Sequence, residues 1–297
     1  MRSRARVAAL VAVWSVVGAL GCHEKPKASA SEQYPIRGVV ERTDAAGGHV
    51  VLKHEAVPGL MEAMTMSYPV MDPAALSEMH PGDRIAAVVL ADKTAQGPTH
   101  LRLKDVVIIA QAKPDYLPAV QYHVPAPGDL VPNFKLLNQA GKTVDLKGFR
   151  GKVVLLTFIY TRCALPDYCP RMSKNFAEIE AQLAKDEAVY RETHLLSVSF
   201  DPEFDTPKVL KTYGAAYTGH YGREDFAHWD FAAPPKDELP RVEQFFAVGV
   251  TPGDAGSLQH SMSTVIIGKD GKVVAFYPSN DWSVAAVLDA VKQAAKA

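Results

Sequence analysis

The chain has 297 residues, a length that suits two hydrophobic cores better than one. Hydrophobic residues make up 47% and charged residues 22%, which is the composition of a globular protein. The formal net charge of -1, without a basic patch or a pattern of stacking aromatics, argues against nucleic acid as a partner.

The first residues have the pattern of an export signal. Three arginines precede an apolar run over residues 7–20, which is shorter than the roughly 20 apolar residues of a membrane-spanning helix. The residues before Cys22 resemble a bacterial lipoprotein processing site, so we expect residues 1–22 to be a lipoprotein-type signal and Cys22 to be lipidated. A simple secretory signal and an uncleaved anchor are the alternatives. In each case the chain is expected on the periplasmic side of a bacterial membrane.

Residues 34–112 carry a β pattern and follow a polar segment, residues 23–33, that is typical of a flexible tether. Short strand-like runs are separated by residues that favour turns, such as the glycine pair within residues 44–48. The runs occupy residues 36–40, 49–54, 64–70, 84–90 and 101–109. Five short strands in one small segment predict an all-β domain closed into a barrel of the OB type.

Repeated proline over residues 113–127 predicts a semi-rigid linker, and from residue 128 the pattern changes to alternating β and α. The apolar run at residues 153–160 has the character of a central strand covered on both faces. Helices are predicted at residues 170–187, 206–216, 236–248 and 282–295. A second strand is predicted at residues 194–200 and a β-hairpin at residues 264–277. This order predicts an α/β domain of the thioredoxin-like type over residues 128–297.

Cys163 and Cys169 lie between the most apolar predicted strand and the helix that follows it. Since proline is favoured at the first helical position, Pro170 predicts Cys169 as the N-cap, where the helix dipole favours the thiolate. A thiolate pair can bind Cu(I) or Zn(II), or exchange with disulfides. Zinc sites usually take four Cys or His ligands, and no local cluster supplies them, which favours copper. A structural disulfide is the alternative, although it would close only a short loop.

Three methionines, Met61, Met64 and Met66, follow His54 closely. Met64 and Met66 are two residues apart, so they would point to one face of a strand. Thioether sulfur together with imidazole suits Cu(I) or Ag(I). A barrel core that uses methionine as filler is the alternative, and the spacing alone favours that alternative.

The cysteine region resembles the Sco/SenC family of copper chaperones. Three segments agree with motifs of that family in the same order: residues 153–170, 197–207 and 259–271. The resemblance covers about residues 128–297. It implies a thioredoxin-like fold, copper binding by Cys163, Cys169 and His260, and a role in assembling the binuclear copper centre of cytochrome oxidase. The spacer between the cysteines is longer than the family's usual one, which bears on copper geometry and redox potential.

The β segment resembles the periplasmic CusF-like copper-binding domain, on residues 54–66 and on Pro81-Gly82-Asp83 before the next strand. The resemblance implies His54, Met64 and Met66 as ligands. Met61 stands where CusF has a tryptophan that caps the metal, and it is a candidate for a fourth sulfur ligand or for a hydrophobic cover.

These observations predict an exported, lipid-anchored copper chaperone of two domains. Copper is expected as Cu(I) at the Met/His site and as Cu(I) or Cu(II) at the Cys/Cys/His site, with an internal relay from the first site to the second. The expected partner is a cytochrome oxidase copper subunit or another copper protein. The alternatives are copper sequestration and a thiol–disulfide oxidoreductase with Cys163 and Cys169 as its catalytic pair. An oxidoreductase needs neither His260 nor the methionines.

Overall fold

The computed structural model describes residues 31–94, 97–113, 122–218, 226–252, 257–278, 280 and 282–297. The predicted signal, the lipidation of Cys22 and most of the predicted tether and linker lie outside these residues. Within the described ranges, no helix combines the length and the apolar character needed to cross a bilayer.

The first unit is an antiparallel sheet of five strands that pack one face over a small core. The strands are β1 (Ser31–Asp44), β2 (His49–His54), β3 (Met64–Pro69), β4 (Arg84–Thr94) and β5 (Gly97–Ala110), and a short helix, α1 (Pro73–Glu78), follows β3. They pair in the order β3-β2-β1-β4-β5. Val40, Leu52 and Ile85 are fully buried in the core. The predicted all-β class is confirmed, and β1, β4 and β5 are longer than the predicted strands.

The predicted OB-type closure is not confirmed, because the strands form no closed barrel in the part of the chain that the structure describes. The edge strands β3 and β5 meet through a single bridge between Val70 and Leu103 instead of a hydrogen-bonded ladder. Pro69 ends β3, and proline has no N–H for a further ladder bond. Asp72 then caps α1 by accepting a hydrogen bond from the backbone of Ala74, so the chain leaves the sheet edge.

The second unit is a seven-stranded sheet with helices on its faces. Its elements are β6 (Lys135–Asn138), β7 (Thr143–Asp145), a 3-10 turn (Leu146–Phe149), β8 (Val153–Ile159), α2 (Cys169–Leu183), α3 (Glu187–Arg191), β9 (Thr193–Ser199), α4 (Pro207–Ala215), β10 (Trp229–Ala233), α5 (Leu239–Phe245), β11 (Val250–Pro252), β12 (Leu258–His260), β13 (Thr264–Ile267), β14 (Val273–Tyr277) and α6 (Val284–Lys296). The seven strands pair in the order β14-β13-β8-β9-β10-β6-β7, and β11 and β12 form a separate ribbon.

The centre of this sheet has the thioredoxin-like arrangement that the sequence predicts. Strands β8 and β9 are parallel and joined through α2, and β13 lies antiparallel on the other side of β8. Every residue of β8 and β9 is buried, because helices and loops cover both faces. The predicted hairpin is confirmed, with Gly271 at φ 74° in the turn between β13 and β14.

Helix α5 is shorter than predicted, and several short strands are additional to the prediction. Pro240 stands in the first turn of α5, where proline fits, and Ala247 at φ 53° takes the chain out of helical geometry soon after Phe245. The additional strands are β6, β7, β10, β11 and β12. Each has only three to five residues, too few for a periodic pattern to identify.

The two units pack against each other along β3. A Cβ atom on Gly249 would lie 1.7 Å from the carbonyl oxygen of Thr65, so this approach of two backbones requires glycine. Arg42 of the first unit lies 3.3 Å from Nδ1 of His123 and donates to the carbonyl of Tyr122 at 3.5 Å. An apolar cluster completes the contact, with Val51 on one side and Val124 and Ala247 on the other.

Candidate metal centre

Two cysteines and one histidine meet at the end of β8. Cys163 lies in the loop after the strand, Cys169 opens α2, and His260 ends β12. The two sulfurs and one ring nitrogen all lie within 4.8 Å of one another. Sγ of Cys169 is 3.6 Å from Nε2 of His260, and both cysteines are free thiols. We call these three residues the thiol cluster.

The orientation of His260 suits a ligand. Its Nδ1 lies 2.9 Å from the carbonyl oxygen of Ser261, which only accepts, so Nδ1 donates there and Nε2 is the nitrogen that faces Cys169. Aromatic rings of Tyr160, Tyr168 and Phe200 surround the imidazole, with centroid distances of 5.5, 5.8 and 4.6 Å. The ring is therefore fixed in place, with one nitrogen directed at the thiols.

The two thiols are not equivalent. A hydrogen bond from Cys169 lowers the pKa of Cys163 to about 4 against the opposing effect of burial, and His260 adds to this stabilisation of the thiolate. Burial raises the pKa of Cys169, which is fully enclosed. The predicted N-cap at Cys169 is wrong: Tyr168 is the N-cap and Cys169 is the first helical residue. The structure therefore assigns the lower pKa to Cys163, because burial of Cys169 outweighs the helix dipole.

A buried carboxylate holds the start of the cysteine loop. Asp205, 1% exposed, accepts hydrogen bonds from the backbone and the hydroxyl of Thr161 and from the hydroxyl of Ser199. Although its place before Thr206 and Pro207 in the sequence predicts Asp205 as the N-cap of the following helix, Thr206 has that position. Asp205 thus belongs to the support of the thiol cluster. The sequence gives one signal of this: the ends of adjacent parallel strands lie at one edge of the sheet.

The second group of predicted ligands lies where β2 meets β3. His54 pairs directly with Met64 across the two strands. The ring of His54 is 3% exposed, and its Nδ1 lies 2.7 Å from the carbonyl of Glu55, to which it donates. Its Nε2 is buried without a hydrogen-bond partner in the part of the chain that the structure describes. Burial also lowers the pKa of His54, so the ring is held neutral with a free lone pair, as a soft metal requires.

Met61, Met64 and Met66, which we call the methionine cluster, line one cavity of about 60 Å³. Cys163 and His260 line the same cavity. The hydroxyl of Tyr68 donates to the sulfur of Met61 at 3.4 Å. The structure thus brings part of each predicted ligand group to a common space between the units, while His54 and Cys169 lie outside the lining of the cavity.

Met262 also lines this cavity and is a residue that sequence reasoning missed. It is 7% exposed and stands two residues after His260 and two residues before the start of β13. Its place next to a predicted ligand was the only available signal, since a single methionine beside a strand is usually core.

A thioredoxin-like fold with two thiols and an imidazole at the junction of its central strand and helix defines a class of soft-metal-binding proteins. Residues 124–296 match the SCO1/SenC family model, and residues 33–103 match that of the copper-binding periplasmic protein CusF. The SCO1 protein homolog of Bacillus subtilis (strain 168) is 32% identical over 147 residues, which are 48% of this chain and 71% of that protein. The chain belongs to the SCO1/SenC family, and a CusF-like domain precedes its SCO1/SenC domain. Both resemblances drawn from the sequence are confirmed.

Solved structures of the same family are also similar. The SCO1/SenC family lipoprotein from Bacillus anthracis str. Ames is 25% identical, with a TM-score of 0.49, and the match covers 59% of this chain and 99% of that one. ScoI of Bradyrhizobium japonicum, solved with copper bound, is 25% identical, with a TM-score of 0.46, and the match covers 57% of this chain and 99% of that one.

Proposed function

We propose that this protein is an exported copper chaperone that delivers copper from its thiol cluster. The observation that carries the proposal is the convergence of two sulfurs and one imidazole nitrogen within 4.8 Å. Two thiolates and an imidazole are a soft, low-coordinate ligand set that selects copper among the common metals once a four-ligand zinc site is not available. Copper is the cargo, bound as Cu(I) or Cu(II) and released to a recipient by exchange of ligands.

His54, Met64 and Met66 form a second site, for Cu(I), with Met61 as a further sulfur ligand or as its cover. Nε2 of His54, which is buried without a hydrogen-bond partner among the described residues, supports this site, because a lone pair without a hydrogen bond is costly to bury unless a ligand uses it. Thioethers are neutral, so copper binding there releases no proton from sulfur.

The recipient is expected to be a copper subunit of cytochrome oxidase, whose binuclear centre the copper would build, or another copper protein. Membership of the SCO1/SenC family and the match to the periplasmic protein CusF support this role and a periplasmic location. A lipid anchor on Cys22 would keep the protein at the membrane where such a recipient lies.

A second candidate function is thiol–disulfide exchange that keeps the cysteines of a partner reduced. It is favoured by one observation, a partly exposed Cys163 thiolate beside a buried Cys169 thiol. This is the arrangement of an attacking and a resolving thiol. His260 and the methionine cluster have no part in that reaction.

Anaerobic titration of the whole reduced protein with Cu(I), against a chromophoric Cu(I) chelator, tests the proposed function. We expect two bound equivalents, of which the Cys163→Ser variant loses the tighter one. His260→Ala should weaken that site by at least about 10–100-fold, which is the usual cost of losing even a group that only orients a metal ligand. His49→Ala, a histidine outside both sites, is the matched control. Full affinity in the His260→Ala protein, together with unchanged reduction of a disulfide peptide, would favour the oxidoreductase instead.

A further inference from the structure

The cavity between the two units has one wall from each of them. The first unit contributes the methionine cluster, and the second contributes Cys163, His260 and Met262. Its volume of about 60 Å³ exceeds the roughly 10–15 Å³ that one water molecule needs in such a cavity, so a copper ion fits with room to change position. Most of the remaining wall is apolar, with Leu101, Leu165, Tyr168 and Leu258 among its residues.

Met262 extends the sulfur lining to the wall that holds the thiol cluster. It follows His260 by two residues, and both line the same cavity. Its thioether is neutral and soft, so it can accept Cu(I) from the methionine cluster without competing with thiolates for the final position. The cavity therefore holds sulfur ligands on both of its walls.

The distance between the two walls is fixed by a contact of backbone with backbone. Thr65, which stands between Met64 and Met66, approaches Gly249 so closely that no side chain fits at residue 249. Gly249 in turn donates to the hydroxyl of Ser261 at 2.9 Å and accepts from its backbone N–H at 2.9 Å. Ser261 directly follows His260, so this contact fixes the strand of the methionines against that of the histidine ligand.

We propose that the cavity is a transfer chamber in which Cu(I) passes from the methionine cluster to the thiol cluster within one molecule, with Met262 as an intermediate ligand. This inference rests on the proposed function of the two sites. Copper stays Cu(I) throughout: each step breaks one thioether–copper bond and forms one bond to Met262 or to a cysteine sulfur, and the displaced thiol protons go to solvent. Transfer runs towards the cysteines because anionic thiolates bind Cu(I) more tightly than neutral thioethers.

The test starts from the whole protein with Cys163 and Cys169 oxidised to a disulfide, so that one equivalent of Cu(I) binds at the methionine cluster. The disulfide is then reduced by a phosphine. The phosphine concentration is raised until the observed rate no longer depends on it, so that reduction of the disulfide is not the slow step. Ultraviolet copper–thiolate absorbance is followed over a wide range of protein concentrations. We expect one rate at all dilutions, because the metal does not leave the molecule.

Two variants test the transfer route without removing a ligand of either copper site. Met262→Leu keeps the shape of the wall and removes the sulfur, and we expect the transfer rate to fall by at least about tenfold while the final copper content stays the same. Met79→Leu, at a buried methionine of the first unit's core, is the matched control. Gly249→Ala places a Cβ against Thr65 and forces the units apart, so its transfer rate should become proportional to protein concentration.

A wild-type rate that rises with protein concentration would overturn the chamber while leaving both sites intact. Wild-type speed in Met262→Leu would remove that residue from the route. If copper never reaches the cysteines although Cu(I) titration shows both sites filled, the internal route is wrong; if the cysteines bind no copper in the titration itself, the proposed function is the part that fails.

Discussion

At the scale of single residues, the two cysteines of the thiol cluster differ in exposure and in pKa. Cys163 is partly exposed and faces the cavity. Cys169 is enclosed and donates a hydrogen bond to Cys163. A thiolate is the form that receives a soft metal, so in the proposed function Cys163 is the sulfur that meets incoming copper first. Under the same proposal, Cys169 binds after its own proton has left.

Alkylation of the apo, reduced protein measures this asymmetry. With the pKa of Cys163 at about 4, iodoacetamide at pH 6 should modify Cys163 at least about tenfold faster than Cys169, since ordinary thiols are almost entirely protonated at that pH. Mass spectrometry of the digested protein gives the two rates. Cys163→Ser is the control, and its Cys169 should stay unmodified at pH 6. Faster labelling of Cys169 in the wild type would contradict the order of the two pKa values.

At the scale of elements, the loop between β8 and α2 is held by a residue that follows the neighbouring strand β9. Asp205 bonds Thr161, two residues before Cys163, and Ser199 at the end of β9. Nothing in the sequence near the cysteines reveals this partner, because Asp205 lies in the loop that follows β9. The central strands themselves were predictable, since long apolar runs without a period of two are typical of strands covered on both faces.

Asp205→Asn should destabilise the protein by about 1–3 kcal/mol, because a neutral amide cannot accept all three hydrogen bonds and leaves a buried donor unpaired. We also expect weaker Cu(I) binding at the thiol cluster, as the loop loses its anchor. Urea unfolding and the competitive Cu(I) titration measure the two effects. Asp201→Asn is the matched control, since Asp201 pairs with Arg162 at the surface of the same loop. Equal losses in both variants would argue against a special role of Asp205.

At the scale of the whole molecule, the packing of the two units determines what the separate sites can do together. Each group of candidate ligands could be proposed from its own segment: His54 and the methionine cluster from the resemblance, since spacing alone favours core methionines, and the thiol cluster from three family motifs. Their meeting at one cavity could not, because it follows from contacts such as that of Thr65 with Gly249. Periodicity and motifs describe single elements, whereas the surface on which one unit rests is a property of the folded chain.

Buried carboxyl groups near the junction make stability depend on pH. Burial raises the pKa of Glu243 to about 7 and also raises that of Glu41, and both affect the enclosed Tyr122. Glu243 holds its proton more tightly in the folded than in the unfolded chain, where its pKa is about 4.3. Its contribution to stability is therefore fully present below pH 4.3 and is lost as the pH rises through about 7.

Glu243→Gln should raise the free energy of unfolding at pH 8 by about 1–2 kcal/mol, since one pKa unit corresponds to about 1.4 kcal/mol and partial exposure reduces the effect. It should have little effect at pH 5. Urea unfolding at the two pH values measures the difference, with the exposed Glu62→Gln as control. A gain of the same size at both pH values would show that the carboxyl group does not titrate between them.

The contact at Gly249 also constrains how this chain can evolve. A missing side chain on the second unit is needed only because the first unit brings the carbonyl of Thr65 to within 1.7 Å of where a Cβ would stand. In a family member without the additional β unit, no carbonyl of such a unit would oppose the equivalent position, so we expect larger residues to be acceptable there. Proteins that carry both units should therefore keep glycine at this position. Proteins that have only the second unit should vary there.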